Sequence, residues 1–327
     1  GYLDLKKAIC KKFKRDNNLN YDVDQIVVST GAKQSIANVC MSLINKGDEV
    51  LIPTPYWVSY SAMVELAEGV PVFINPDKDS NYKITAQQLD SAITDKTKML
   101  MLNSPNNPSG SVFTEQEYLE FSKVLLKYPN IIIVSDEIYE HINYGVKSVS
   151  FASLPGMYDR TVTVNGISKA YAMTGWRIGY LGAPKVIAKA CNKMQGQITS
   201  GANCIAQRAT IKALEESPEK IQYMVDEFKI RRDFIIDLVT KINGFNIKQP
   251  PMGAFYIFPN ISELFGKTFK GVTVNDANDL SMLILEKAHV ATVPGDAFGY
   301  PNCIRISYSA SREQIEEAIK RIKDLLS

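Results

Sequence analysis

The stretch Gly166-Ile167-Ser168-Lys169-Ala170-Tyr171-Ala172-Met173-Thr174-Gly175-Trp176-Arg177-Ile178-Gly179 decides how the chain is read. It follows an apolar, β-branched run at 161–164, so Lys169 stands just beyond the end of a strand. Open α/β sheets build their ligand sites at such ends. A lysine amine near apolar or cationic groups loses its proton and becomes a nucleophile toward carbonyls. Arg177, eight residues on, opens a further expected strand at 177–181 and offers a planar fork that matches a phosphate. A lone lysine after a strand is ordinarily a surface residue, so the weight lies in the string as a whole.

Outward from this string, strand-like runs occur at 25–29, 49–53, 71–74, 99–103 and 131–135, and most are separated by helical patterns. Alternation of this kind predicts a mostly parallel sheet covered on both faces. The runs at 161–164 and 177–181 are joined by only a dozen residues, which allows an antiparallel pair there. A long helix is expected from Pro218 to Ile242, with Gly244 just past its end. Beyond it, short strands at 254–258, 291–293 and 303–308 alternate with helices at 276–288 and 313–326. The expected organisation is a large domain over 1–217, a connecting helix over 218–243 and a small α+β domain over 244–327.

Composition narrows the function classes. Hydrophobic residues make up 45% and charged residues 22% of 327, and Lys plus Arg number 37 against 35 Asp plus Glu. That balance sets up no field for nucleic acid or an anionic membrane, and no apolar run approaches a membrane span. Cys10, Cys40, Cys191, Cys204 and Cys303 are odd in number and scattered, the pattern of reduced core thiols in a cytoplasmic protein. With only His141 and His289, a histidine metal site or a serine-hydrolase triad is hard to assemble, and no metal is expected. Neither Gly-x-Gly-x-x-Gly nor a Walker A loop occurs, which disfavours dehydrogenases and nucleotidases.

Five more segments sit beside expected strands. Asn103-Ser104-Pro105-Asn106-Asn107-Pro108-Ser109-Gly110 is, by itself, a turn-rich loop. Val134-Ser135-Asp136-Glu137-Ile138-Tyr139 ends a strand on an Asp that would otherwise be read as a helix cap. Ser29-Thr30-Gly31-Ala32-Lys33-Gln34 runs from strand into helix with small residues, a weak anion-site pattern. Pro53-Thr54-Pro55-Tyr56-Trp57-Val58-Ser59-Tyr60 is an aromatic cluster of the sort usually found in a core. Cys303-Ile304-Arg305-Ile306-Ser307-Tyr308 alternates, with Arg305 opposite the isoleucines.

Together these residues resemble class I and II aminotransferases, the fold-type I pyridoxal-phosphate enzymes, over the whole chain, and are most similar to the bacterial-type aspartate aminotransferase subgroup. The resemblance implies a three-layer α/β/α large domain with a seven-stranded mixed sheet plus a small α+β domain. It implies pyridoxal 5′-phosphate held by Lys169 as a Schiff base, with Lys169 also moving the α-proton. Asp136 then faces the pyridine nitrogen, Asn107 and Tyr139 the phenolic oxygen, and Trp57 the ring face. Gly31, Ala32, Lys33, Ser168 and Arg177 belong to the phosphate cradle. Arg305 would clamp the substrate α-carboxylate, and the Lys33 side chain the distal carboxylate of aspartate; Trp57 and Asn107 also touch substrate. Pro251-Met252-Gly253-Ala254-Phe255-Tyr256 matches a small-domain turn read as structural.

The implied reaction is ping-pong transfer of an amino group from an L-amino acid, chiefly aspartate, to 2-oxoglutarate, by a cytoplasmic homodimer. Aromatic, prephenate-type or kynurenine substrates remain open, as does a fold-type I C–S β-lyase. The same fold serves as the effector-sensing half of certain transcription regulators, but the basic winged-helix domain those carry is not in this sequence. The chain departs from the family in having Gly166 where many relatives place a serine; Ser168 or Thr30 would then supply that hydroxyl. No Arg lies within 195–200 to serve the distal carboxylate, which favours Lys33. Gly1 opens directly on a helical pattern without Met, and the expectation is a fragment lacking its start, so no targeting signal can be read. The family segment that carries a substrate-touching Gly and a Tyr for the neighbouring subunit's phosphate would lie there.

Overall fold

Seven of the apolar runs pair into one sheet. The computed structural model describes residues 1–78 and 80–327. The strands are β1 (Ile26–Ser29), β2 (Glu49–Pro53), β3 (Val70–Ile74), β4 (Thr97–Asn103), β5 (Ile132–Asp136), β6 (Thr161–Gly166) and β7 (Gly179–Gly182). Their order is β1-β7-β6-β5-β4-β2-β3. β2 through β6 run parallel, while β7 is antiparallel to both of its neighbours, as the short link from β6 allowed.

Alternation along the strands sorts side chains onto two faces. Val50, Ile52, Met99, Met101 and Val134 pack on one side with Ile36, Val39 and Cys191 of the covering helices. Leu51, Leu100, Leu102 and Ile133 pack on the other with Leu89, Phe121 and Leu125. The helix α1 (Leu3–Asn17) adds Leu5, Ile9 and Phe13 against Ile26, Val28 and Tyr180 at the β1 edge. α2 (Ala32–Leu43) lies on the first face. The result is the three-layer α/β/α arrangement with a seven-stranded mixed sheet. Each fully buried Leu or Ile contributes about 1.5–3 kcal/mol through removal of apolar surface from water.

A further core gathers residues 225–325. Here β8 (Tyr256–Ile257), the hairpin of β9 (Thr268–Phe269) and β10 (Val272–Thr273), β11 (Val293–Pro294) and β12 (Ile304–Ser307) accompany the helices Gln222–Val239, Ala277–Ala288 and Arg312–Leu325. Ile138, Tyr139, Ile142 and Tyr144 from the loop after β5 join this core. No helix among the described residues is long and apolar enough to cross a membrane.

Several boundaries differ from the sequence expectation for local reasons. The long helix begins as a 3-10 turn, Pro218–Ile221, and its α-helical part is Gln222–Val239. The strand expected at 254–258 shrinks to Tyr256–Ile257 because Ala254 sits at φ 56. The strand expected from Arg177 begins only at Gly179: residues Thr174–Trp176 form a 3-10 turn and Arg177 is left-handed, φ 54. A Cβ on Gly179 would lie 2.1 Å from the Ala32 nitrogen, so only glycine lets β7 pass beneath the start of α2. The five cysteines are free, but only Cys40, Cys191 and Cys303 are buried; Cys10 is half-buried and Cys204 exposed, so the reading of all five as core thiols is corrected.

Candidate active site

The C-terminal ends of β4, β5 and β6 converge on one cavity of about 170 Å³. Parallel strands leave their carboxyl ends and the following loops on the same edge of the sheet, which is where such a cleft forms. β4 supplies Asn103, β5 supplies Asp136 in register beside it, and the loop after β6 supplies Ser168 and Lys169. Ala32 and Lys33 open α2, and Trp57, Asn107, Tyr139 and Arg177 complete the walls. Gly31 stands at the N-cap of α2, next to Arg177, and Arg305 reaches the site from β12 through Asn107.

One wall is tightly bonded. Asp136 is buried, and its carboxylate accepts from the Tyr60 hydroxyl at 2.7 Å and the Ile138 N–H at 3.2 Å. Burial outweighs these bonds and the nearby Lys169 charge, and pushes the Asp136 carboxyl up to about 6. The Tyr139 hydroxyl lies 2.9 Å from that of Tyr256, and burial followed by this neighbour drives its pKa well above the usual phenol value. Asn107 accepts from Arg305 Nη1 at 2.8 Å, and its backbone N–H donates to Asn103 Oδ1 at 2.9 Å. With Oδ1 committed to Arg305, the Nδ2 edge of Asn107 is the one that can donate to a ligand.

The opposite wall is rich in uncommitted donors. α2 begins at Gly31, φ 84, with no side chain capping its first N–H groups. Among the described residues the Arg177 guanidinium bonds only the Thr174 carbonyl, at 2.9 Å, and a Cβ on Gly31 would fall 2.4 Å from its Nη2. Lys33 Nζ lies 5.0 Å from the Trp57 ring. Lys169 Nζ lies 5.8 Å from the Tyr139 ring and 5.7 Å from that of Phe255. Burial, then the charges of Arg305 and Arg177, lower the Lys169 pKa, which raises the share of neutral, nucleophilic amine. The buried Nε of Arg305 has no hydrogen-bond partner among the described residues.

Of the site residues expected from sequence, nine line this cavity, Gly31 stands beside Arg177 and Arg305 bonds Asn107, whereas of the two hydroxyls considered only Ser168, not Thr30, is among the lining residues. Three contributors were not singled out as such. Tyr60 bonds Asp136, Asn103 bonds both the Asp136 carbonyl and the Asn107 N–H, and Tyr256 sits between Tyr139 and Arg305, its ring 4.5 Å from the guanidinium. Gly166 pairs with Gly179, and a Cβ there would meet the Ile178 carbonyl at 2.9 Å, a tight fit for any side chain.

A sheet-edge cleft holding a lysine of lowered pKa, a buried carboxylate and an uncapped helix start suits the class of enzyme that works through a lysine amine. The chain belongs to the class I and II aminotransferase family, whose model matches residues 1–322. Members of this family use pyridoxal phosphate. It is 45% identical to the bifunctional aspartate aminotransferase and glutamate/aspartate-prephenate aminotransferase of Petunia hybrida, over all of this chain and 69% of that one. It is 46% identical to a probable aspartate/prephenate aminotransferase of Rickettsia bellii, over 99% of this chain and 82% of that one. The crystal structure of the aspartate aminotransferase from Rhizobium meliloti superposes with a TM-score of 0.96 at 44% identity, covering all of this chain and 83% of that one.

Proposed function

We propose that this chain binds pyridoxal 5′-phosphate in the 170 Å³ cavity and moves the amino group of aspartate to 2-oxoglutarate. The donor set fits that cofactor. The uncapped start of α2 and Arg177 together make an anion cradle for its phosphate, with Gly31, Ala32, Lys33 and Ser168 around it. Asp136 would hold a proton on the pyridine nitrogen, Asn107 and Tyr139 would donate to the phenolic oxygen, and Trp57 would cover the ring. When bound, pyridoxal phosphate supplies an aldehyde for a primary amine and a cationic ring that delocalises the electrons left as an α-proton departs.

The chain's own residues do the rest. Lys169 Nζ, its pKa lowered, is the amine that holds the cofactor and then the base that takes the proton from the substrate α-carbon. Arg305, held by Asn107 and stacked on Tyr256, would clamp the substrate α-carboxylate with its unpaired Nε. Lys33 would meet the distal carboxylate.

The observation that carries the choice of aspartate is the pair of cations, Lys33 and Arg305, bordering the Lys169 cavity. The relatives named for aspartate support the same reading. The enzyme is proposed to act as a homodimer, by its likeness to a family whose sites lie between subunits, and in the cytoplasm, in keeping with its free cysteines.

A substitution tests the substrate reading. Lys33→Ala is expected to lower kcat/KM for aspartate about 10- to 100-fold, the worth of a charge-assisted hydrogen bond. Turnover of an uncharged aromatic donor should hold within a few-fold. Unchanged use of aspartate contradicts the role of Lys33. Release of pyruvate and ammonia from cystathionine would instead favour a β-lyase.

A further inference from the structure

The segment after β5 is two-faced. Asp136 and Tyr139 line the cavity, while Glu137 and Glu140 turn away from it into a buried ionic cluster. Glu137 Oε1 accepts from the hydroxyls of Ser135 and Ser150, each at 2.8 Å, and from the Phe151 N–H at 3.3 Å; its Oε2 accepts from Asn17 Nδ2 at 3.4 Å. Glu140 accepts from Asn17 Nδ2 and Asn165 Nδ2, each at 2.6 Å, and forms an ion pair with Lys12.

Lys12 is only 1% exposed and also donates to Asn17 Oδ1 at 2.7 Å. The border is formed by His141, whose Nε2 is 3.4 Å from both Asp16 and Glu140, and by Asp16, which Arg15 engages at 2.6 Å. Asp16, Glu140 and His141 have the spacing of a metal-ligand trio, but the Lys12 ammonium already bonds Glu140 there and stands 3.9 Å from Asp16.

Two carboxylates that share a dry site need a cation to stay ionised together, because isolated buried charge is strongly disfavoured. Burial and then the Glu140 charge push the Glu137 carboxyl up to about 7. For Glu140 burial acts in the same direction, yet Lys12, His141 and Asn17 prevail and hold it below its ordinary value. So Lys12 keeps Glu140 charged, and Glu140 ties the β5 loop to α1, a partner 128 residues earlier in the chain. Between Asp136 and Tyr139 there are only two residues, so a pull on Glu140 is felt at the Tyr139 hydroxyl.

We propose that Lys12 is a positioning residue for the reaction: by pairing with Glu140 it fixes the loop that aims Asp136 and Tyr139 into the cavity. The inference rests on the reading of Asp136 and Tyr139 as cofactor partners given above.

The test is a pH titration of the visible absorption of the protein loaded with pyridoxal phosphate. A phenol that donates to the cofactor's phenolic oxygen holds the midpoint low, and a misaligned Tyr139 lets it rise. Lys12→Met is expected to raise the midpoint by about half a pH unit or more. In Lys12→Met/Glu140→Gln the stranded charge is gone and the Gln carbonyl still accepts from one of the Asn17 and Asn165 amides, so at least half of the shift should be recovered. A loss of stability alone would not move this midpoint.

If Lys12→Met does not load, Glu140→Gln alone is read in its place, again with a rise expected. A midpoint within about 0.1 unit of the unsubstituted protein, in whichever of the two loads, overturns the inference. An unsubstituted protein that forms no visible band overturns the reading of the cavity, and this inference with it; a normal band with unshifted variants overturns the inference alone.

Discussion

The two walls of the cavity are built on opposite principles. On the β5 side each polar side chain is anchored to protein by at least one bond: Asp136 to Tyr60 and Ile138, Tyr139 to Tyr256, Asn107 to Arg305 through its Oδ1. On the α2 side the donors are left over: uncapped N–H groups, Lys33 above Trp57, and an Arg177 whose one hydrogen bond is to a carbonyl. Committed groups are held in place before any ligand arrives, which is what orientation of a reactive ring requires. Uncommitted donors need an anion, and their positions give its location. The contrast assigns steering to one wall and anchorage to the other.

The sharpest way to break this contrast is at Asp136. Its carboxyl is raised from 3.8 to about 6, so the folded cofactor-free chain binds its proton more tightly than the unfolded chain does. Its contribution is therefore most favourable below pH 4 and is lost as pH climbs through 6. Asp136→Asn removes that titration. The stability difference between the variant and the unsubstituted protein, both without cofactor, should change by about 3 kcal/mol between pH 3.5 and 7 in the variant's favour, measured by urea unfolding at each pH. A difference that stays flat with pH would mean the carboxylate is solvated and the β5 wall is not the closed one described.

A smaller effect is expected on the anchoring wall. Arg177→Ala should weaken cofactor binding by about 1.5–3 kcal/mol, roughly 10- to 100-fold in Kd, with little change in stability without cofactor because Arg177 is exposed and bonds only Thr174. A variant destabilised without cofactor yet unimpaired in binding would reverse the assignment of the two walls.

Legibility in the sequence follows the same divide. Positions set by a local pattern were readable: Asp136 ends an apolar run, Lys169 follows one and Gly31-Ala32-Lys33 opens a helix, but the roles proposed for them came from the family resemblance of the strings as wholes. The alternation of strand-like runs with helical patterns predicted a sheet covered on both faces, and a core lies on each side of it. Residues defined by long-range contacts were not. Tyr60 reaches Asp136 across 76 positions and Tyr256 reaches Tyr139 across 117, and an aromatic residue near a turn reads as core until its partner is known. The start of β7 was misplaced because Ile178 extends the apolar pattern back to Arg177, whereas Arg177 takes a left-handed backbone, φ 54, and the strand begins only at Gly179, where the chain passes under α2. Lys12 falls on the buried stripe of α1, at helical spacing from Leu5, Ala8 and Ile9, but a lysine there ordinarily reaches out to solvent, and the partner that holds it inside, Glu140, is 128 positions away.

The central claim is that Lys169 holds pyridoxal phosphate and uses it to exchange an amino group with aspartate. The most direct measurement is the visible spectrum of the protein mixed with pyridoxal phosphate, recorded alone, after aspartate and after 2-oxoglutarate, with Lys169→Ala alongside. A lysine-linked visible band is expected in the unsubstituted protein only, disappearing with aspartate and returning with 2-oxoglutarate. A band that survives aspartate unchanged, or one that forms equally well in Lys169→Ala, would contradict it.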